Sequence, residues 1–332
     1  MFRLTIPRES RRSVFLGRRM SSLSMIVEAL VPVAFVIVLG FLAGRLGVIK
    51  PENSGVLASL ALDFCLPALL FAATAKMTLP ELENWRFFLG IAVGLLSVYL
   101  IALVVARVAF RKPIAASSLQ ALNSAFPNMA FMGVPVLTAV IGASATISVV
   151  IGNLISSFVL LPLTLTLLEA GKSQSGAGHA AVAWKSLLGA IKQPLVWAPL
   201  AGILLAVARI PLPHVASKSL DLIGESTSGV ALFALGLVLS GQKLQIGVAA
   251  LLNVALKVLV QPAAMWLLAV SLGVTGVYRR EMVLLGALPT ASMTAMFAVQ
   301  YNVYVAESDA TILLSTLISV ATLGICIAIT AI

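Results

Sequence analysis

The sequence predicts an all-α integral membrane protein: ten transmembrane helices arranged as a five-plus-five inverted repeat, with helices 4 and 9 broken and crossing. Three observations carry that prediction. Of the residues, 60% are hydrophobic and only 10% charged, with a mean hydropathy of +1.08, a composition unlike that of a soluble globule. Apolar stretches of about 20 residues recur from end to end, each long enough at about 1.5 Å per residue to cross a hydrocarbon core of about 30 Å. The second half of the chain also repeats the punctuation of the first when it is slid over it by 162 residues.

Residues 1–24 read as a basic tail, six arginines against Glu9. Within it, Ser10-Arg11-Arg12-Ser13-Val14-Phe15-Leu16 resembles a twin-arginine export signal with one residue too many before Phe15. The apolar run that begins at Ile26 has no small-residue cleavage site behind it, so it reads as a spanning helix, and Met20 or Met25 is an alternative start. The first repeat, 25–168, holds spans near 26–46, 55–75, 87–110, 115–141 and 147–168, with Gly, Pro and charge as punctuation. A polar connection, 169–186, leads to the second repeat, 187–332, with spans near 187–208, 219–240, 246–272, 281–301 and 311–332.

The shift that relates the halves superposes Pro32 on Pro194, Pro51 on Pro213 and Pro127 on Pro289, and it carries Gly40 onto Gly202, Phe71 onto Phe233 and Asp63 onto Glu225. A unit with an odd number of spans must be inserted upside down the second time. The result is an inverted-topology pair, the architecture of secondary transporters, in which two interconvertible halves support alternating access. Orientation is split: the Arg-rich tail favours a cytoplasmic N-terminus. The lysines and arginines of the connections, nine on one side and six on the other, place the mature N-terminus outside. A start at Met25 removes the conflict.

Several function classes are excluded or disfavoured. Half of the net charge of +10 sits in the tail, the rest mostly flanks spans, and aromatic stacking platforms are missing, so the charge speaks for anionic lipid and not for nucleic acid. Cys65 and Cys326 fall inside apolar spans, and His179 and His214 have no ligand at metal spacing, so neither a metal nor a cofactor is expected. Catalytic motifs and phosphate-cradling glycine loops are absent from the spans. Nor is there a ring-forming selectivity motif of the kind a channel uses.

The binding candidates cluster where the apolar pattern breaks. Asn123-Ser124-Ala125-Phe126-Pro127-Asn128-Met129-Ala130-Phe131-Met132-Gly133-Val134-Pro135 places two prolines, a glycine and two asparagines in the fourth span, which a continuous helix does not tolerate. Backbone groups freed in this way survive in a bilayer only when buried in protein or lining a wet cavity. Pro289-Thr290-Ala291-Ser292-Met293-Thr294 interrupts the ninth span by the same logic. Crossing breaks aim half-helix N-termini, with their partial positive charge, at one point suited to an anion. Asn128, Thr290 and Ser292 are the expected donors, with relief of proline-freed backbone groups as their alternative role. On neighbouring spans, Asn153, Ser156 and Ser157 share one face, as do Asn253, Lys257 and Gln261. Lys257, Asp63 and Glu225 are the charge-coupling candidates, with Lys257 expected to offset substrate charge or to pair with Asp63.

At these residues the chain resembles the auxin efflux carrier family, whose bacterial members are often described as malonate or malate permeases. The resemblance rests on Pro32 with Gly40, Leu66-Pro67-Ala68-Leu69-Leu70-Phe71, Asn128 followed by Phe131-Met132-Gly133-Val134-Pro135, Lys192-Gln193-Pro194, Lys257 ahead of Pro262, and Pro289 leading to Tyr301. It implies a scaffold and a transport domain in a cell membrane, an elevator-like motion, often a homodimer, and a small organic anion as solute. It also implies a substrate site at Asn123, Pro127, Asn128, Asn153 and Pro289. The short connection after Leu168 departs from the plant carriers, which favours a carboxylate carrier of the bacterial type and speaks against auxin as the solute. The sodium-coupled bile acid carriers are a related alternative that would need a cage of acids at the crossing, where this sequence is short of them.

Overall fold

The computed structural model describes residues 27–78 without 29, 84–171, 179–242 and 246–330; the basic tail, 1–24, lies outside them. Thirteen helical segments follow one another in the described residues: α1 (Leu30–Arg45), α2 (Pro51–Ala75), α3 (Trp85–Val108), α4 (Ile114–Ala125), α5 (Met129–Ile141), α6 (Ala143–Ala170), α7 (His179–Ile191), α8 (Pro194–Val207), α9 (His214–Gly241), α10 (Val248–Ser271), α11 (Gly276–Ala287), α12 (Met293–Tyr301) and α13 (Val305–Thr330). No strand forms among the described residues. By length and composition six of these helices can cross a bilayer alone, α2, α3, α6, α9, α10 and α13, and the pair α7 and α8, bent by 67°, makes a seventh. The chain is a multi-pass membrane protein, as its composition requires.

Proline placement explains much of the helix geometry. Pro67, Pro135, Pro162 and Pro262 each occupy the second position of an α-helical stretch that follows a π-helical turn, at Leu60–Cys65, Met129–Gly133, Ser156–Leu160 and Leu256–Val260. Proline has no N–H to donate, and its ring crowds the carbonyl four residues back. Widening the preceding turn moves that carbonyl aside and keeps the helix continuous. The expectation that Pro135 helps interrupt the fourth span is corrected accordingly. The interruption is confined to the stretch from Phe126 to Asn128, and Pro135 is absorbed by the wider turn.

A second correction concerns the connection 169–186. Its residues from 179 onward belong to α7, whose sequence, HAAVAWKSLLGAI, is rich in strong helix formers; 172–178 lie outside the described residues. His179 and His214, which fall between the expected spans, both open helices, His179 in α7 and His214 in α9.

Close backbone approach holds the outer helices together. A methyl group at Gly40 of α1 would collide with the Phe233 carbonyl of α9, and one at Gly202 of α8 would collide with Thr74 and the Phe71 carbonyl of α2. Around this frame α4 and α11 form the interior: every residue from Ser117 to Ala125 and from Glu281 to Ala287 is buried. The polar stripe Asn253, Lys257 and Gln261 of α10 faces inward as its spacing predicts, each side chain fully buried.

Candidate functional site: the crossing of two broken helices

α4 ends at Ala125 and α11 at Ala287, and the chain beyond each turns extended, with Phe126 at φ −89°, ψ 105° and Leu288 at φ −57°, ψ 147°. The two extended segments pair. Asn128 N donates to Pro289 O at 2.8 Å, Ala291 N donates to Phe126 O at 3.0 Å, and Pro127 and Thr290 face each other in an antiparallel bridge. Proline breaks each helix because it cannot donate, yet its carbonyl still accepts, so each break satisfies part of what the other exposes.

The carbonyls released at the ends of α4 and α11 are capped by one neighbour. From α10, Gln261 Nε2 donates to Ala125 O at 2.8 Å and Lys257 Nζ donates to Gly286 O at 2.9 Å. A helix C-terminus carries partial negative charge, so a buried ammonium is favourable there. This corrects one of the two expectations for Lys257, the pairing with Asp63. Lys257 forms no ion pair with Asp63, which lies exposed on the π-turn of α2 beside an apolar cleft that includes Trp197 and Ile223. Glu225 is likewise exposed, at the turn within α9.

Two further residues from the expected site are committed to holding the crossing. Asn123 Nδ2 donates to Leu119 O at 2.8 Å and to Ser308 Oγ at 2.9 Å, while its Oδ1 accepts from Thr294 Oγ1 at 2.9 Å. Thr290 Oγ1 donates to the Asn123 carbonyl at 2.8 Å, and its N–H donates to Ser315 Oγ at 3.1 Å. Both side chains are fully buried. One turn on, Asn253 extends the network, accepting from Ser124 Oγ and donating to Tyr304 OH and Thr311 Oγ1, each at 3.1 Å.

Pro127, Asn128, Asn153 and Ser292 meet at a cavity of about 360 Å³, whereas Pro289 is held in the bridge and does not line it. The crossing supplies Pro127, Asn128 and Ser292, α6 supplies Asn153, and further lining comes from Ser54 and Ala58 of α2, Val238 of α9 and Gln242 just past the end of α9. Here α5 and α12 begin, so the N-termini of two half-helices open on one space. Asn128 is 1% exposed; its Oδ1 caps α5 by accepting from Phe131 N at 3.2 Å, which leaves Nδ2 without a partner. Ser292 Oγ and Gln242 Oε1 are also buried and unpartnered. Asn153 Nδ2 donates to Leu195 O at 3.1 Å. Buried polar atoms are nearly always paired, and an unpaired one costs about 1–3 kcal/mol, so three on one cavity make it the candidate solute site.

A somewhat larger apolar groove, about 420 Å³, lies along α10 and α13 beside Trp266 and Thr322, but it contains none of these groups. Sequence reasoning missed Gln242, which sits in a polar stretch with no motif to single it out. It also missed Glu281, read only as a span boundary, which is 3% exposed and accepts from Ser148 Oγ at 2.6 Å. Its place beside Arg279 and Arg280 at the edge of the apolar run gave no signal of burial.

Comparison with known families places this arrangement. Residues 25–327 match the family model described as membrane transport protein. The chain belongs to that family. Its relatives include an uncharacterized transporter of Escherichia coli (strain K12), YfdV, 26% identical over 298 residues that cover 89% of this chain and 94% of the relative. A protein of Rhizobium meliloti (strain 1021) named "Putative malonate transporter" is 26% identical over 307 residues, 90% of this chain and 93% of the relative. Auxin efflux carrier component 3 of Arabidopsis thaliana is 27% identical over 143 residues, 41% of this chain and 22% of the relative. Membership in this family agrees with the resemblance read from the motifs, and it makes the protein a membrane transport protein of the cell membrane.

Proposed function

We propose that the chain is a secondary carrier of ten spans that moves a small organic anion, such as a mono- or dicarboxylate, by alternating access around the crossing. The single observation that carries the reading is the bridged pair of breaks, which turns two helix N-termini and the unpartnered Asn128 Nδ2 and Ser292 Oγ toward one cavity. Oriented N–H groups and partial positive charge bind a carboxylate without a metal or a fixed cation.

The inverted repeat draws support from the helix ends. α4 and α11 each have 12 residues, and their first residues, Ile114 and Gly276, are offset by the 162 that relates the prolines. Contacts follow the same relation: Gly40 packs on Phe233 as Gly202 packs on Phe71, which is the reciprocity expected of a two-fold axis between the halves. Counting α4 with α5, α7 with α8, and α11 with α12 as single broken spans gives five in each half.

The cavity wall is divided between the crossing on one side and α2 and α9 on the other. Relative movement of those two bodies opens the cavity to alternate faces of the membrane. The test is uptake of labelled malonate, malate and indole-3-acetate into proteoliposomes at set voltage, with and without sodium or pH gradients. Saturable uptake that Asn128→Ala raises in KM at least tenfold supports the reading. No uptake of any carboxylate by folded protein defeats it.

A further inference from the structure

The groove of about 420 Å³ along α10 and α13 shares no residue with the crossing cavity. Small side chains make it: Ala263 and Pro262 on α10 meet Thr322 and Cys326 on α13, while Leu259, Leu267, Ile325 and Ile329 project from the same two helices, each more than half exposed. The threonine hydroxyls of the lining donate within their own helix, Thr322 Oγ1 to the Ile318 and Ser319 carbonyls and Thr330 Oγ1 to those of Cys326 and Ile327. An alkyl chain fills such a groove without leaving a polar group unpaired.

α10 and α13 run the same way, because Asn253 bonds to Thr311 and the groove beyond takes 258–267 of one and 322–330 of the other. Val258 stands at the middle of α10, and the rise from there to Leu267 is about 14 Å, close to half of a hydrocarbon core of about 30 Å. The groove is therefore one leaflet deep. Its outer end carries Trp266, a residue type enriched at the membrane surface, and the Arg279 guanidinium carbon lies 5.2 Å from the centroid of that ring. Arg279 makes no hydrogen bond or ion pair among the described residues, so its fork of N–H donors is open to a phosphate. Arg86, which is exposed, lies beside the same connection between α10 and α11, its Nη1 3.5 Å from where a methyl at Gly273 would sit. Of the acids carried by α11 and by the connection into α3, Glu281 is buried and accepts from Ser148 Oγ; Glu81 and Glu83 lie outside the described residues.

We propose that the groove holds one anionic phospholipid, with an acyl chain along α10 and α13 and the phosphate at Arg279. A second copy of the chain fits less well, since copies inserted in the same direction would bring two Arg279 side chains into one leaflet at one contact. The lipid reaches the solute site through packing. Val258 and Pro262 directly follow Lys257 and Gln261, which cap the crossing, so the occupant supports the outer face of the helix whose inner face holds both breaks.

The test titrates the full chain, purified in detergent, with phosphatidylglycerol and with phosphatidylcholine of identical chains, reading bound lipid by native mass spectrometry and Tm by thermal unfolding. The expected result is one phosphatidylglycerol held more tightly than phosphatidylcholine, with Tm rising as the site fills. Arg279→Gln should weaken it about fivefold, the contribution of one basic residue near an anionic headgroup. Ala263→Phe, which fills the groove from an exposed position, should abolish it, and Lys218→Gln, an exposed charge on α9, should change nothing. Equal affinity for the two lipids overturns the proposal, as does phosphatidylglycerol binding that both groove variants leave intact. Inorganic phosphate that competes at the lipid's own concentration also overturns it, because the acyl chain would then contribute nothing. Conversion of a dimer to a monomer by Ala263→Phe, with lipid binding unchanged, makes the groove a contact between copies and likewise overturns it. If Ala263→Phe does not fold, Arg279→Gln against Lys218→Gln decides alone.

Discussion

Asn123 and Asn128, five residues apart at the same break, should respond to substitution in opposite ways. Asn123→Ala deletes three hydrogen bonds, to Leu119 O, Ser308 Oγ and Thr294 Oγ1, all at a fully buried position. Three bonds at the bilayer average of about 0.6 kcal/mol come to about 2 kcal/mol, and at about 1 kcal/mol each, as in soluble proteins, to about 3. With an unfolding entropy of about 2.1 cal/mol/K per residue over a chain of 332 residues, that is a fall in Tm of about 3–4 °C. The solute KM should change less than threefold.

Asn128→Ala loses one cap, worth about 1 kcal/mol, so Tm falls by only about 1–2 °C. The missing donor to an anion is worth about 1.5–3 kcal/mol, a rise in KM of about 10- to 150-fold. The assay is thermal unfolding in detergent beside uptake kinetics for both variants. If Asn123→Ala raises KM more than tenfold with Tm unchanged, Asn123 touches the solute and the two asparagines do not divide their roles in this way.

Other substitutions test the frame. Gln261→Leu strips the cap from the Ala125 carbonyl and should lower stability by about 1–3 kcal/mol, read as a lower Tm with KM within threefold of wild type. Lys257→Met removes the bond to Gly286 O, about 1.5–3 kcal/mol for a charged donor, but also the cost of a buried lysine, about 2.5 kcal/mol or more on insertion scales. The two nearly cancel, so Tm should move by less than about 3 °C, and a larger fall would mean that the cap outweighs the burial cost. Gly40→Val and Gly202→Val force apart α1 from α9 and α8 from α2. Each overpacking should cost about 1–3 kcal/mol, and losses in Tm that differ more than threefold would speak against a two-fold relation between the halves.

Much of the crossing was legible because it is written in residue type. Pro127 and Pro289 cannot sit inside a continuous ladder, and asparagine and serine beside them signal a satisfied break. Inward stripes such as Asn253, Lys257 and Gln261 follow from helical spacing alone. What stayed hidden involves partners that residue type does not announce. Lys257 invites a search for an acid, but its acceptor is the Gly286 carbonyl, freed by a break 29 residues away. Pro67, Pro135, Pro162 and Pro262 look like breakers, and only the backbone reveals that a wider turn absorbs each. Asp63 sits in an apolar span, and the avoidance of lipid by acids fixes a cost but not a direction. Gln242 belongs to the cavity only because α9 ends against the start of α2, with Gly241 packed on Pro51, a contact without a sequence signature.

Counterflow shows whether the crossing carries an organic anion by alternating access. Proteoliposomes loaded with unlabelled malonate are diluted into a trace of labelled malonate. The wild type should accumulate label transiently above equilibrium, and Asn128→Ala should reduce that overshoot at least tenfold at subsaturating solute. Flux without overshoot or saturation would indicate an open pore and contradict the carrier, and an overshoot indifferent to Asn128→Ala would place the solute elsewhere.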